Sequence, residues 1–416
     1  KMIKYIVAVL CVQKFIVSTP IVQPGKLLTY AIPENRALKK ALGFNEDVYL
    51  NFTELCNKYG YSSEQHTIIT EDDYILTAFR ILPKCFRFQK YPVLLVHGIS
   101  DSSDSWIFPG PKNSLGYILS DNCYDSWAIN LRGNTYSRKH LTLDPDKDPE
   151  YWEFSLDETG YFDLPATIDY ILRITGSTKV YYIGHSQGTT NFFIMGSLRP
   201  EYNNKVNLAL HLAPVAGLKY LKSPLLKFIS QHTNPIKDFL ENAGYGEIFG
   251  KQQLVHFIVE FLSQNFPDLV IGTALSLSTG YKQGSISSRN LALTSGHLIA
   301  GISVKSLAHF GQLAMSGSFQ RYDEGRAGNM IRYGTPDPPK YNISLVTSPT
   351  VLICAESDWI STLEDMRILG SQLPNLVETY VVPVSTWSHN NHVWGIYAGE
   401  YVFKVILNYI HLFDTK

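Results

Sequence analysis

The stretch "VYYIGHSQGTT", from Val180 to Thr190, places a serine between two glycines directly after a short apolar run. That run is typical of a buried strand, and the apolar "NFFIMGSL" at 191–198 favours a helix. Glycines let a strand and a helix approach closely, and a serine between them stands at the tip of a very sharp turn. The pattern also occurs by chance in loops rich in glycine and serine. Its flanks nevertheless predict a nucleophile, Ser186, on a strand-to-helix turn.

Length and composition limit the classes of protein to be considered. The chain has 416 residues, of which 45% are hydrophobic and 18% charged, with a formal net charge of -1. Such a length allows one large α/β domain with an insertion, or two smaller domains. The near-neutral charge argues against a nucleic-acid partner and against a polybasic membrane anchor. Aromatic residues make up 13%, which suits both apolar substrates and an ordinary large core.

The first residues have the pattern of a secretory signal peptide. Lys1 and Lys4 come before an apolar run at 5–12, and small or polar residues follow near Ser18. The run is too short to span a bilayer, and no later stretch is apolar and long enough to do so. We therefore predict a signal peptide over residues 1–18, with no particular cleavage site, and a secreted or lumenal mature protein without a transmembrane segment.

Glycosylation motifs and cysteines fit the same compartment. Asn-x-Ser/Thr motifs make Asn51 and Asn342 candidate glycosylation sites. The cysteines are far apart and lack the spacing of metal ligands, so no metal site is predicted, and their pairing stays open. Cys354 stands inside the apolar "TVLICA", which predicts a buried free thiol.

Strand-like and helix-like stretches alternate in the first half, the pattern of a mostly parallel sheet covered by helices. A helix over 161–176 separates two of the strands, because its apolar residues recur at helical spacing and Gly176 follows its end. The clearest predicted strands lie at 91–98, 126–133, 179–186, 208–214, 349–358 and 376–384.

In the middle of the chain, a segment of about a hundred residues has apolar patterns typical of amphipathic helices, and we predict no strand there. The predicted organisation is an α/β core over 19–217 and 319–416, interrupted by a helical cap or lid over 218–318. We find no internal repeat or low-complexity segment.

A nucleophilic serine needs a general base, which in turn needs an orienting carboxylate. Asp358 follows the strand "TVLICA", at the sheet edge where loops carry catalytic groups. Its alternative role is to cap the helix predicted at 359–369. His389 and His392 both follow the last strand and are candidates for the base, although a histidine is more often a surface or core residue. The chain order serine, aspartate, histidine is that of an α/β-hydrolase sheet.

Two backbone amides are candidates for an oxyanion hole. His97 follows the first clear strand, and we expect its loop to form the second half of an oxyanion hole. The amides of Ile99 and Gln187 would then converge on the carbonyl oxygen of an ester.

Several linked motifs resemble the acid lipases, a family that contains gastric and lysosomal acid lipases and many insect digestive lipases. The resemblance covers most of the chain after the signal. The motifs are "KYGYSSEQHTIITEDDYIL" (58–76), "LLVHGISDSSDSW" (94–106), "RGNTYSRKH" (132–140), "FDLPATIDYI" (162–171), "YYIGHSQGTT" (181–190), "FQRYDEG" (319–325) and "PPKYN" (338–342).

The resemblance implies an α/β-hydrolase fold with a helical cap that hydrolyses triacylglycerols or sterol esters at a lipid–water interface without a cofactor. Ser186 corresponds to the nucleophile, Asp358 to the acid, and Ile99 with Gln187 to the oxyanion donors. Aligning Trp394 with the family's aromatic residue, without a gap, selects His389 as the base. Asn391 and His392 then stand where the family usually has Asp and Phe. Other departures are Asp73 in place of Gly, Glu324 in place of Trp and a cap without cysteine.

Two other functions are compatible with parts of this pattern. One is an esterase for short or soluble esters, and the other is a lipid-carrying or yolk-type protein that has kept the fold and lost catalysis. The presence of serine, aspartate and histidine in the right order argues against the second.

Overall fold

The computed structural model describes residues 36–85, 91–248 and 253–415, without the side chains of 253–258. The predicted signal peptide lies outside the described residues. In the part of the chain that is described, no helix is both long enough and apolar enough to cross a membrane.

An eight-stranded sheet forms the centre of the molecule. Its order is β1-β2-β4-β3-β5-β6-β9-β10, and all pairings from β4 to β10 are parallel, whereas β1 and β2 are antiparallel to their neighbours. The predicted mostly parallel sheet is therefore confirmed. The strands of this sheet are β1 Ser63–Ile69, β2 Ile75–Ile81, β3 Val93–Val96, β4 Ser126–Ile129, β5 Val180–His185, β6 Val206–Leu212, β9 Thr350–Cys354 and β10 Leu376–Val381.

Helices lie along the chain between these strands. The longest described helices have 13 residues, and a π-helical turn, Thr159–Asp163, leads into α5. The α-helices among the described residues are α1 Arg36–Ala41, α2 Phe52–Lys58, α3 Leu115–Asp121, α4 Leu156–Glu158, α5 Leu164–Thr175, α6 Gln187–Leu198, α7 Pro224–Gln231, α8 Thr233–Asn242, α9 Gln253–Asn265, α10 Thr273–Ser278, α11 Ser288–His297, α12 Val304–Ser316, α13 Gly325–Tyr333, α14 Leu363–Gln372, α15 Asn391–Trp394 and α16 Lys404–Asp414.

The segment predicted as a cap contains six of these helices, α7 to α12. It also contains a feature that the sequence did not reveal, a two-residue antiparallel ribbon in which Glu247–Ile248 (β7) pairs with Ile302–Ser303 (β8). Two residues are too few for a period-2 pattern to show.

The central strands are buried on both faces because helices cover each side of the sheet. Val93 and Leu95 of β3 belong to one hydrophobic cluster, and Leu94 and Val96 belong to the other. Each such side chain contributes about 1.5–3 kcal/mol when it is fully buried. Continuous apolar runs of this kind are the reason that the parallel strands could be recognised in the sequence.

The antiparallel edge hairpin β1–β2 was not predicted. Its outer strand is mostly polar and largely accessible, so it lacks the apolar run by which the other strands were found. Asp73 lies in the turn between β1 and β2 with φ of 70°, a conformation that glycine adopts more easily. The turn therefore keeps its geometry despite the departure from Gly noted in the sequence.

The cysteines divide into one pair and two free thiols among the described residues. Cys85 and Cys123 form a disulfide with their Cα atoms 5.3 Å apart. Cys56 and Cys354 are free and buried, which confirms the prediction for Cys354.

Candidate active site

Ser186 occupies a sharp turn between β5 and α6. Its φ is 50°, in the left-handed region that costs a non-glycine residue roughly 1–3 kcal/mol. A Cβ atom on Gly188 would lie 2.4 Å from the carbonyl oxygen of Val96, and one on Gly184 would lie 2.9 Å from the carbonyl carbon of Gly188. Both glycines are therefore required by the close approach of the helix to strands β3 and β5.

Hydrogen bonds hold this turn in its strained conformation. The amide of Ser186 donates to the carbonyl of Leu212 at 3.1 Å, and the hydroxyl of Thr189 donates to the carbonyl of Ser186 at 2.6 Å. Thr189 also accepts from the amide of Val215 at 2.7 Å. Sequence reasoning missed Thr189, whose only signal was its place in the first turn of α6.

The structure brings three of the predicted site residues together. Nε2 of His389 lies 2.8 Å from Oγ of Ser186, and Nδ1 of the same ring lies 2.8 Å from Oδ2 of Asp358. An ionised carboxylate can only accept, so Nδ1 carries the proton and Nε2 presents its lone pair to the serine hydroxyl. This is the arrangement in which imidazole acts as a general base toward a hydroxyl.

Asp358 is fully buried in the loop after β9. Its Oδ1 accepts from the amides of Ile360 at 2.8 Å and Ser361 at 2.9 Å, which leaves Oδ2 for His389. The alternative role of Asp358 as a helix cap is wrong, because α14 begins later and Thr362 is its N-cap.

His392, the other candidate for the base, points elsewhere. Its Nδ1 lies 3.1 Å from the carbonyl oxygen of His389, and its Nε2 is buried without a hydrogen-bond partner among the described residues. Burial lowers the pKa of His392 to about 4. Nε2 of His185 also lies 3.2 Å from the carbonyl oxygen of His389. The rings of His185 and His392 thus contact the backbone carbonyl of His389, and the ring of His389 contacts Ser186.

The candidate oxyanion donors belong to two segments next to Ser186. Gln187 is the first residue of α6, and Ile99 follows Gly98, where an added Cβ would lie 3.4 Å from Cβ of Ser186. Within the described ranges, no backbone or side-chain oxygen accepts from the amide of Ile99 or of Gln187. Both amides therefore stay candidates for the predicted oxyanion donors.

The helical segment packs directly on the loops that carry this site. A Cβ on Gly280 would lie 2.5 Å from the carbonyl oxygen of Ser357, and the carbonyl of Ser285 accepts from the side chain of Asn391 at 3.2 Å. Ser186 itself is only 6% exposed. The site is therefore nearly closed to solvent in this conformation.

Fold and site together define a class of protein. A sharp turn with a Gly-x-Ser-x-Gly sequence at the carboxyl edge of a mostly parallel sheet, with an aspartate and a histidine from later loops, is that of an α/β hydrolase. Residues 91–396 match the family described as "alpha/beta hydrolase fold", and residues 52–110 match the "partial alpha/beta-hydrolase lipase region".

Curated relatives narrow this class. The chain is 37% identical to Lipase 1 of Drosophila melanogaster over 90% of this chain and 82% of that protein. It is 34% identical to Lipase member M of Homo sapiens, over 89% and 88%, and 36% identical to gastric triacylglycerol lipase of Bos taurus, over 88% and 92%. The chain belongs to this lipase family of the α/β hydrolases, which confirms the resemblance to the acid lipases.

Proposed function

We propose that this chain is a serine lipase that hydrolyses carboxylic esters of neutral lipids, triacylglycerols or sterol esters, through an acyl-enzyme. The observation that carries the proposal is the hydrogen-bonded series Ser186–His389–Asp358 at the tip of the turn after β5. The substrate class is supported by the relatives, one of which is named as a gastric triacylglycerol lipase.

Acylation begins when Oγ of Ser186 attacks the ester carbonyl and passes its proton to Nε2 of His389. Asp358 stabilises the imidazolium that results, and the amides of Ile99 and Gln187 stabilise the oxyanion of the tetrahedral intermediate. His389 then protonates the departing alcohol oxygen, the C–O bond breaks, and the acyl group stays on Ser186.

Deacylation repeats these steps with water as the nucleophile. His389 accepts a proton from water, the hydroxide adds to the acyl carbon, and the collapse of the second tetrahedral intermediate returns the proton to Ser186 and releases a fatty acid. Two of the roles belong to backbone amides, so the side chains of Ile99 and Gln187 should matter far less than those of the three reacting residues.

We also propose that the protein is secreted or lysosomal and is glycosylated at Asn51 and Asn342. Both side chains are exposed, and in each case Oδ1 accepts from a nearby amide, that of Glu54 at 2.9 Å and that of Ser344 at 3.1 Å. These caps use the oxygen and leave Nδ2, the atom that receives a glycan. The Cys85–Cys123 disulfide agrees with an oxidising compartment.

The test is covalent labelling with a long-chain alkyl fluorophosphonate, followed by peptide mapping and by assays on short-chain and emulsified long-chain esters. We expect a single label on Ser186 and hydrolysis of the emulsified substrate. Hydrolysis of short esters alone would identify an esterase instead. Absence of any label would favour a lipid-binding protein without catalysis.

A further inference from the structure

His97 is a buried histidine that has no assigned part in the chemistry, yet it touches the loop that carries a proposed oxyanion donor. It follows β3 directly and is 3% exposed. Its Nε2 lies 3.1 Å from the amide nitrogen of Leu131, and its Nδ1 lies 2.7 Å from the carbonyl oxygen of Gly98. These two contacts occupy both nitrogens of the ring.

The contacts decide which nitrogen carries the proton. A backbone amide can only donate, so Nε2 must accept from Leu131, and Nδ1 must then be the N–H that donates to Gly98. Burial lowers the pKa of His97 to about 4, so the ring is neutral at ordinary pH. A neutral ring with one fixed tautomer connects the segment that follows β4 to the loop after β3.

The carbonyl that His97 holds belongs to the same peptide group as the amide of Ile99. This peptide group is planar and trans, so its C=O and N–H point in opposite directions. A bond that fixes the direction of the Gly98 carbonyl therefore also fixes the direction of the Ile99 amide. The Gly98 backbone lies against Ser186, where an added Cβ would come within 3.4 Å of the serine Cβ.

We propose that His97 is a positioning residue that orients the Gly98–Ile99 peptide, so that the Ile99 amide stays directed at the oxyanion formed on the substrate of Ser186. This inference rests on the proposed serine-lipase function. The hydrogen bond from His97 is needed because Gly98 has no side chain to restrict its backbone. In the described structure the Ile99 amide also has no acceptor that would fix its direction before substrate binds.

Two substitutions separate the two contacts of the ring. In His97→Asn the side-chain amide nitrogen takes the place of Nδ1 and keeps a donor for Gly98, whereas the acceptor for Leu131 is lost. In His97→Gln the side-chain oxygen takes the place of Nε2 and keeps the acceptor for Leu131, whereas the donor for Gly98 is lost. Each variant removes one buried hydrogen bond, so both should lower the melting temperature to a similar degree.

Their kinetics should differ. We expect His97→Gln to lower kcat about 10–100-fold with little change in KM, because outright loss of an oxyanion donor costs about 10²–10³ and a misdirected donor costs less. His97→Asn should stay within about threefold of the wild type. Inhibition by a long-chain alkyl boronic acid, which forms a tetrahedral adduct on the serine, should weaken in His97→Gln in proportion to kcat/KM.

The inference is wrong if both variants lose kcat equally, if the loss follows the fall in melting temperature, or if boronate affinity is unchanged in His97→Gln. Labelling of Ser186 by the fluorophosphonate, measured to completion, distinguishes this failure from that of the proposed function. Labelling of the wild type together with equal kinetics of the two variants refutes only the role of His97. A wild-type protein that takes no label refutes the lipase mechanism itself.

Discussion

At the scale of single residues, the surroundings of His389 separate it from its neighbour three positions later. Sequence spacing left two histidines as candidates, and only the family alignment selected one of them. In the structure the ring of His389 bridges Ser186 and Asp358, while Nδ1 of His392 lies against the backbone carbonyl of His389. The two rings therefore have different expected effects on catalysis.

We expect His389→Gln to lower kcat about 10⁴–10⁶-fold, because it removes the base of a unit whose members act together. His392→Gln should retain activity within about tenfold, because its ring does not reach the serine hydroxyl. Steady-state hydrolysis of a soluble ester measures both, and Ser186→Ala gives the floor of the assay. Substantial activity in His389→Gln would refute its assignment as the base.

Asp101, which follows the proposed oxyanion loop, is a buried carboxyl group. Burial raises the pKa of Asp101 to about 7, although its carboxylate accepts from Ser105 and from the amide of Ser102. The folded state therefore binds a proton on the Asp101 carboxyl group more tightly than the unfolded state does. The stability that this protonated group contributes is fully present below about pH 4 and is lost as the pH rises through 7.

Asp101→Asn keeps an acceptor for the Ser102 amide and offers a donor to Ser105 without the charge. We expect it to raise the free energy of unfolding by at least about 1 kcal/mol above pH 7 and to change it little near pH 4. Urea unfolding at the two pH values measures the difference. Asp238→Asn, at an exposed position of α8, is the matched control and should show no such dependence on pH.

At the scale of elements, the turn between β5 and α6 depends on how closely the helix approaches the sheet. Gly188→Ala would place a methyl group 2.4 Å from the backbone oxygen of Val96, which cannot move without disturbing β3. We expect a loss of stability of about 1–3 kcal/mol and a large fall in kcat, because the helix must move away and take Ser186 with it.

Thermal unfolding and ester hydrolysis of Gly188→Ala test this expectation. Gly217→Ala is the matched control, because Oδ1 of Asp365, at 4.0 Å, is the one atom within 4 Å of its added methyl group among the described residues outside its chain neighbours. The control should unfold and react like the wild type. If Gly188→Ala did the same, close packing of α6 on β3 would not be what maintains the turn.

At the scale of the whole molecule, the sequence predicted the features that are periodic or that repeat a known motif. Parallel strands such as β5 are continuous apolar runs, and the order of Ser186, Asp358 and His389 follows from the fold. The edge strand β1 was missed because it is half exposed and polar. The pairing of Cys85 with Cys123 and the contact of His97 with Leu131 could not be predicted, because both depend on distances across the folded chain.

The interior of the molecule also holds several neutral histidines, and these limit its stability in acid. Burial lowers the pKa of His211 to about 3, and neither ring nitrogen has a hydrogen-bond partner among the described residues. The ring lies between aromatic side chains, with its centroid 4.5 Å from that of Phe193 and 4.8 Å from that of Phe192.

His211 makes the free energy of unfolding depend on pH in the direction opposite to that of Asp101. Its pKa in the folded state is below the ordinary value of 6.5, so the unfolded chain binds the additional proton. The stability contributed by the neutral ring is fully present above about pH 6.5 and is lost progressively as the pH falls toward 3.

We expect His211→Phe, which suits the aromatic surroundings, to reduce the fall in the free energy of unfolding between pH 7.5 and 4.5. Urea unfolding of both proteins at these pH values measures the change, and any constant packing cost of the larger ring cancels in the difference. His232→Gln, at an exposed position, should leave the pH dependence unaltered. An identical fall in wild type and His211→Phe would mean that other groups cause the acid sensitivity of the fold.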